Sequence, residues 1–357
     1  RTSLRDFQSE GYIALVRNFN RYSWLLMYLF GASPAVESHF LRDGPHGLDK
    51  LSADTLYLPH ATSLRMSDLG YSNNAQANLM LPYNTLEQYM RSMLRAVRQP
   101  YPPYEKVGTR QNGEWVQINT NVLQIENEFY ATIRPKRVIN SGERPLEALC
   151  ARGVQYVEVR CLDVDPFEPL GISLETSRFL DAFLHFCLLD DSAQTNQVEG
   201  RENTGNFASV VKRGREPELA LQRGGVAIGL QQWGLELLDQ IEPIAAMLDA
   251  GRTDGAHLAS LAAQRAKLES PALTPSARVL AQMEKHGNSF SGFGMVQSMK
   301  HAENFRARAP SAQEHQRHAE LAARSVREQA RMEAEGSDDF DAFLTDYGTR
   351  TPTMLCD

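Results

Sequence analysis

Glu158 and Arg160 stand two residues apart in the run VQYVEVRCLDVDPF (154–167), and residues 156–162 alternate as a strand does. Such a strand puts Tyr156, Glu158, Arg160 and Leu162 on one face and Val157, Val159 and Cys161 on the other. The acid and the base then have Cβ atoms roughly 7 Å apart. On a cleft wall the carboxylate could hold a metal ion while the guanidinium meets a phosphate. The plainer alternative is an exposed strand face with a weak ion pair.

Other residues suit the same chemistry. Over 122–130, alternation places Gln124, Glu126, Glu128 and Tyr130 together, either as a cation-binding wall or as a solvent-facing edge. The loop 61–79 is rich in Ser, Asn and Gly, yet carries Arg65, Asp68 and Tyr71. Long polar loops inside compact proteins are often functional. RPKR at 134–137 and Lys212, Arg213 and Arg215 are short basic clusters that could meet an anion, though a solvated turn accounts for them as well. His185 reads as structural, and His315 and His318 as exposed, because no third ligand lies near them. GxxxxGK[ST], GxGxxG after a strand, HExxH and GxSxG are all absent, which removes P-loop, Rossmann, zincin and α/β-hydrolase chemistry.

The chain has 357 residues, 42% of them apolar, and a net charge of −7. That length fits two domains or one large α/β enzyme domain. The negative charge argues against a general nucleic-acid binder. Cys150, Cys161, Cys187 and Cys356 have no metal spacing and read as free, mostly buried thiols of a reducing compartment. The longest apolar run, 24–30, is far short of the roughly 20 residues a membrane span needs. With no signal-peptide pattern, a cytoplasmic location is expected. The chain opens with Arg close to a helix start, so a missing N-terminal part is also expected.

Periodicity predicts a helix over 3–30, stopped by Gly31 and Pro34, then an irregular stretch over 35–60 with DGPHG at 43–47. A helix over 84–97 is capped by Asn84, and YPPY (101–104) breaks the chain. Residues 105–133 read as sheet, turning at Asn112-Gly113. Helices follow over 145–152, 174–189, 230–248 with Pro243 as a kink, 257–268, and from Thr274-Pro275. Residues 190–206 and GNSFSGFG (287–294) read as loops. Ser311 and Glu314 open a long polar helix to about Glu335, and a short amphipathic piece begins at Phe340. Without repeats or a linker, one domain over 1–357 with a mostly helical flank (174–335) is preferred to two lobes.

The strings YLFGASPA (28–35), LPHATSLRMSDLGYSN (58–73), QINTNVLQIENEFYATIRPKR (117–137) and YVEVRCLDVDPFEPLGI (156–172) together resemble the proteobacterial glutamate–cysteine ligase family. The resemblance runs from Arg1 to about Ala334. It implies an α+β fold like glutamine synthetase, a curved, mostly antiparallel sheet forming a funnel with flanking helices, incomplete here at the N-terminus. It implies that ATP phosphorylates the γ-carboxylate of glutamate, and that the amine of cysteine attacks the acyl phosphate to give γ-glutamylcysteine, the first step of glutathione synthesis. ATP and Mg²⁺ are the implied cofactors, and glutamate, cysteine and ATP the small-molecule partners, with no nucleic acid and no membrane.

Carried across, Glu158 matches a metal-binding glutamate. Arg160 matches an arginine meeting the transferring phosphate or glutamate, and Arg65 an arginine of the substrate site. Tyr71 and Tyr130 match tyrosines that hold the cysteine carboxylate. Asn119, Gln124 and Glu126 lie on the same string and are the implied ATP contacts. Relatives place an N-terminal segment with acidic metal ligands before the opening helix, so the chain alone is expected to be inactive. Residues 200–226 lack the cysteine pair that some relatives use for redox control. Another carboxylate–amine ligase, or a non-catalytic module of the same fold, are the alternatives.

Overall fold

The computed structural model describes residues 3–41, 46–77, 79, 81–336 and 339–349. Helix α1 (Leu4–Phe30) is the axis of the molecule, and Ser3 caps it by accepting from the Asp6 amide. Every residue from Ser23 to Phe30 is buried, as a helix apolar all round must be. Gly31 ends it, and its amide bonds back to the Met27 carbonyl.

The stretch 35–60, expected to be irregular, holds a small antiparallel sheet. Strands β1 (Ala35–Glu37), β2 (Asp49–Lys50) and β3 (Thr55–Tyr57) lie in the order β1-β3-β2. Strands this short carry no readable alternation. Part of the DGPHG stretch lies outside the described residues. Loop 58–85 follows, with 3-10 turns at Leu64–Met66 and Asn74–Gln76.

Helix α2 (Leu86–Ala96) is capped by Thr85 and not by Asn84. The Asn84 side chain instead bonds the backbone of Thr195 in both directions. The YPPY prolines begin a helix, α3 (Pro102–Val107), because proline is compatible with the first helical turn. Strands β4 (Arg110–Gln111) and β5 (Glu114–Trp115) form the expected hairpin. Residues 116–132 are not strand: Asn119, Asn121 and Gln124 bond nearby backbone, which competes with a sheet ladder.

Strand β6 (Ile133–Lys136) pairs antiparallel with β7 (Tyr156–Val159) across helix α4 (Pro145–Arg152). Helix α5 (Leu174–Leu189) runs as expected. Helix α6 (Gln197–Arg213) replaces a predicted loop. Asn196 caps it, and Val210 and Val211 anchor its last turn in the core despite the internal glycines. Hairpin β8 (Ala220–Arg223) and β9 (Val226–Gly229) precedes α7 (Leu230–Asp249), which passes through Pro243. Helices α8 (Ala256–Glu269) and α9 (Pro275–Glu284) follow. Then come α10 (Phe290–Ala307), begun by Ser289 inside the expected Gly/Ser loop, α11 (Ala312–Glu335) and α12 (Phe340–Thr349).

The main core gathers α1, α5, α6 and α7, with ring contacts between Phe19 and Phe183 (5.8 Å), Trp24 and Trp233 (4.8 Å), and Phe30 and Phe179 (5.6 Å). A second core sets α2 against Leu123, Phe129, Leu146, Leu149 and Val154. Strands β6 and β7 lie where the two meet, since Ile133 belongs to the first and the neighbouring Phe129 and Val154 to the second. Cys161 and Cys187 are free and buried, as expected, but Cys150 is disulfide-bonded. Cys356 lies outside the described residues. No helix among the described residues is long and apolar enough to cross a membrane.

Candidate functional site

Arg65 is held by a loop packed against two helix ends. Thr62 and Ser63 donate their amides to the Val211 carbonyl in α6, at 3.0 and 3.2 Å. Ser33, just after α1, bonds the Thr62 carbonyl through its amide and accepts from the Leu64 amide. A Cβ on Gly31 would stand 2.7 Å from the Thr62 carbonyl oxygen, and one on Gly214 would stand 2.7 Å from the Thr62 methyl. The chain then folds back tightly enough that the Tyr71 amide donates to the Arg65 carbonyl at 2.5 Å. A Cβ on Gly70 would lie 2.2 Å from that carbonyl oxygen, so only glycine fits there.

The backbone return brings the Tyr71 ring beside Arg65 (guanidinium carbon 5.9 Å from the ring centre) and Arg160 (5.3 Å). Tyr130 meets it edge-on at 4.4 Å between centroids. Gln76, which is buried, holds Tyr130 in place by accepting from its amide at 2.9 Å and donating to the Glu128 carbonyl at 2.9 Å. The Tyr71 hydroxyl is buried and has no hydrogen-bond partner among the described residues. Burial pushes this phenol above its ordinary range, Arg134 and Arg65 oppose that, and the charges of Tyr130 and Glu158 add to it.

Glu158 on β7 stands opposite Arg134 on β6. Its Oε2 is buried, lies 3.2 Å from Arg134 Nη2 and 4.0 Å from Lys136 Nζ, and makes no hydrogen bond among the described residues. Arg134 is buried and donates to the Asn127 and Phe129 carbonyls. Burial lowers the Lys136 ammonium, the neighbouring Arg134 charge lowers it further, and Glu158 opposes both. Beside this sheet opens a cavity of about 290 Å³, lined in part by Asn127, Arg134, Lys136, Arg137 and Tyr156. Among the described residues no three His, Cys, Asp or Glu side chains group to hold a metal.

The fold therefore brings Arg65, Tyr71, Tyr130, Glu158 and Arg160 into one cluster from three separate segments. Asn119, Gln124 and Glu126 do not lie on a strand face. The Asn119 and Gln124 side chains bond within their own loop. Glu126 is buried in a two-pronged pair with Arg144, at 3.1 and 2.9 Å. Arg134 and Lys136 were visible in sequence only as a short basic turn. Gln76 and Asp163 gave no signal there, since a lone amide or a lone acid in a loop has no spacing to read.

A family model described as glutamate-cysteine ligase matches residues 1–210. The glutamate–cysteine ligase of Janthinobacterium sp. (strain Marseille) is 65% identical over 353 residues, covering 99% of this chain and 67% of that protein. The glutamate–cysteine ligase of Pseudomonas aeruginosa (strain LESB58) is 58% identical over 345 residues, covering 97% and 65%. A crystal structure of glutamate–cysteine ligase from Francisella tularensis in complex with AMP superposes with a TM-score of 0.88 at 33% identity, covering 96% of this chain and 67% of that one. A bifunctional glutathione synthetase from Pasteurella multocida shares the fold at TM-score 0.62 and 22% identity, over 85% and 34%. The chain thus spans about two thirds of the length of the curated relatives it matches.

Proposed function

This chain belongs to the glutamate–cysteine ligase family, and on that footing we propose that it carries the substrate wall of an ATP-dependent ligase that joins the γ-carboxylate of glutamate to the amine of cysteine. The observation that carries the reading is the Tyr71 hydroxyl, buried and without a hydrogen-bond partner among the described residues, with the guanidinium groups of Arg65 and Arg160 beside its ring. A buried polar atom left without a partner in a charged cluster is what a missing ligand would satisfy.

In this reading the γ-phosphoryl group of ATP passes to the glutamate γ-carboxylate, giving an acyl phosphate and ADP. The cysteine amine then attacks the acyl carbon, phosphate leaves, and the amine loses a proton. Arg160 and Lys136 balance charge on the moving phosphoryl oxygens. Arg65 and the Tyr71 and Tyr130 hydroxyls take the substrate carboxylate, the tyrosines adding no competing charge. Mg²⁺ is commonly held by one or two carboxylates together with phosphates and water. The Glu158 carboxylate, flanked by Arg134 and Lys136, would supply one such ligand, and the ion would neutralise phosphate charge there. Asn119 and Gln124 are engaged within their own loop and Glu126 is taken up by Arg144, so the phosphates are assigned to Arg160 and Lys136.

The antiparallel β6–β7 pair is read as part of a curved, funnel-like sheet within one catalytic domain over 1–357. The test is coupled release of phosphate and γ-glutamylcysteine by the protein at its natural length. Glu158→Gln is expected to lower kcat at least a hundredfold while the melting temperature holds within a few degrees, an effect of about 2.7 kcal/mol on the barrier. Normal turnover in that variant would remove Glu158 from the site.

A further inference from the structure

Asp163 is a buried carboxylate just beyond β7, and its side chain is 3% exposed. Its Oδ2 accepts from the Ala32 amide at 2.8 Å and from Ser33 Oγ at 2.7 Å. Its Oδ1 accepts from Ser63 Oγ at 3.0 Å and from Arg65 Nε at 2.7 Å. Each carboxylate oxygen thus takes two donors, and two segments distant in sequence, 32–33 and 63–65, meet on one side chain.

The consequence falls on Arg65. Nε is fixed to Asp163, and Nη2 donates to the Leu162 carbonyl at 2.7 Å and the Arg160 carbonyl at 3.2 Å. One whole edge of the guanidinium is held by the backbone and by Asp163. The donors of Nη1 have no partner among the described residues, and the side chain remains 38% exposed. A planar, rigid fork held along one edge presents the rest at a fixed place and angle.

We propose that Asp163 is a positioning residue: it holds Arg65 so that Nη1 faces the carboxylate of the amino-acid acceptor. The proposal rests on the ligase reading and adds to it a side chain that touches no substrate. A pre-set donor binds the carboxylate equally in the ground and transition states, so losing the pre-setting raises KM and leaves kcat.

The experiment has two arms. In steady-state kinetics of the protein at its natural length, Asp163→Asn is expected to raise KM for cysteine at least tenfold. The kcat should stay within about threefold and KM for ATP should be unchanged, and Asp163→Glu should restore part of the loss. An unchanged KM for cysteine in a folded Asp163→Asn protein overturns the proposal, as does a uniform fall in kcat with every KM intact. In the second arm, the Arg65 Nε–H proton is observed by nitrogen-correlated NMR in the unsubstituted chain and assigned with Arg65→Lys. Slow exchange with solvent is expected, and exchange as fast as that of a surface arginine overturns the proposal even if Asp163→Asn does not fold. Absence of turnover in the unsubstituted protein would count against the ligase reading alone, and the resonance then decides between a held and a free Arg65.

Discussion

Glu158 faces Arg134 and Lys136 across one strand pair, so the acid is set among cations before any ligand arrives. That setting makes Arg160 the test of the phosphate role, because its guanidinium stands over Tyr71 rather than against Glu158. Arg160→Lys is expected to lower kcat/KM for ATP at least tenfold, since a point charge replaces a fork of donors. Initial rates at varied ATP check it. A second residue-scale prediction concerns Asp249. Burial pushes its carboxyl up, but hydrogen bonds from the Leu258 and His257 amides and from the His257 ring outweigh that and hold it at about 2. A carboxyl depressed in the folded state adds stability above its unfolded value near 3.9, lost as pH falls through about 2. Asp249→Asn should therefore be less stable at neutral pH and show a shallower loss between pH 4 and 2, read from urea midpoints. At this scale the long motif strings singled out side chains that the fold brings together: Glu158, Arg160, Arg65, Tyr71 and Tyr130 were all named from them. Asp163 and Gln76 were not, because their roles depend on partners remote in the chain.

Among the elements, a continuous apolar run or a strong cap decided what was legible. Helices α1, α4 and α5 end within about a residue of their predicted bounds, and α9 starts where Thr274 and Pro275 placed it. Helix α6 was hidden by its glycines and polar surface, and α10 by a Gly/Ser start that holds its own N-cap. The supposed strand over 122–130 failed because its acids alternate for another reason: Glu126 reaches inward to Arg144, while Glu128 accepts from the Gln124 amide. Phe183 on α5 is fully buried between Phe19 and Phe179, so Phe183→Ala should cost about 3–5 kcal/mol in unfolding free energy. Helix α11 has no buried residue, and Leu321→Asp should stay within about 0.5 kcal/mol. Paired denaturant titrations compare the two.

For the whole molecule, the fold is a set of small antiparallel sheets hung on a helical core, with α1 running through the middle. The α+β class was expected from the family resemblance, and the structure does mix helices with small antiparallel sheets. The three-stranded sheet over 35–57 was not, because strands of two or three residues are fixed by partners and not by pattern. Hydrogen exchange should show this hierarchy, with amides in the last turns of α1 opening only on global unfolding and those of α11 exchanging far sooner. The loop bearing Arg65 has a different kind of rigidity, wedged at Gly31, Gly70 and Gly214 where no side chain has room. In a survey of every substitution at every position, these three glycines would stand out as isolated intolerant sites. Their loss-of-function variants would accumulate as soluble protein with weakened substrate capture, tracing the outline of a binding loop from positions that never meet a ligand.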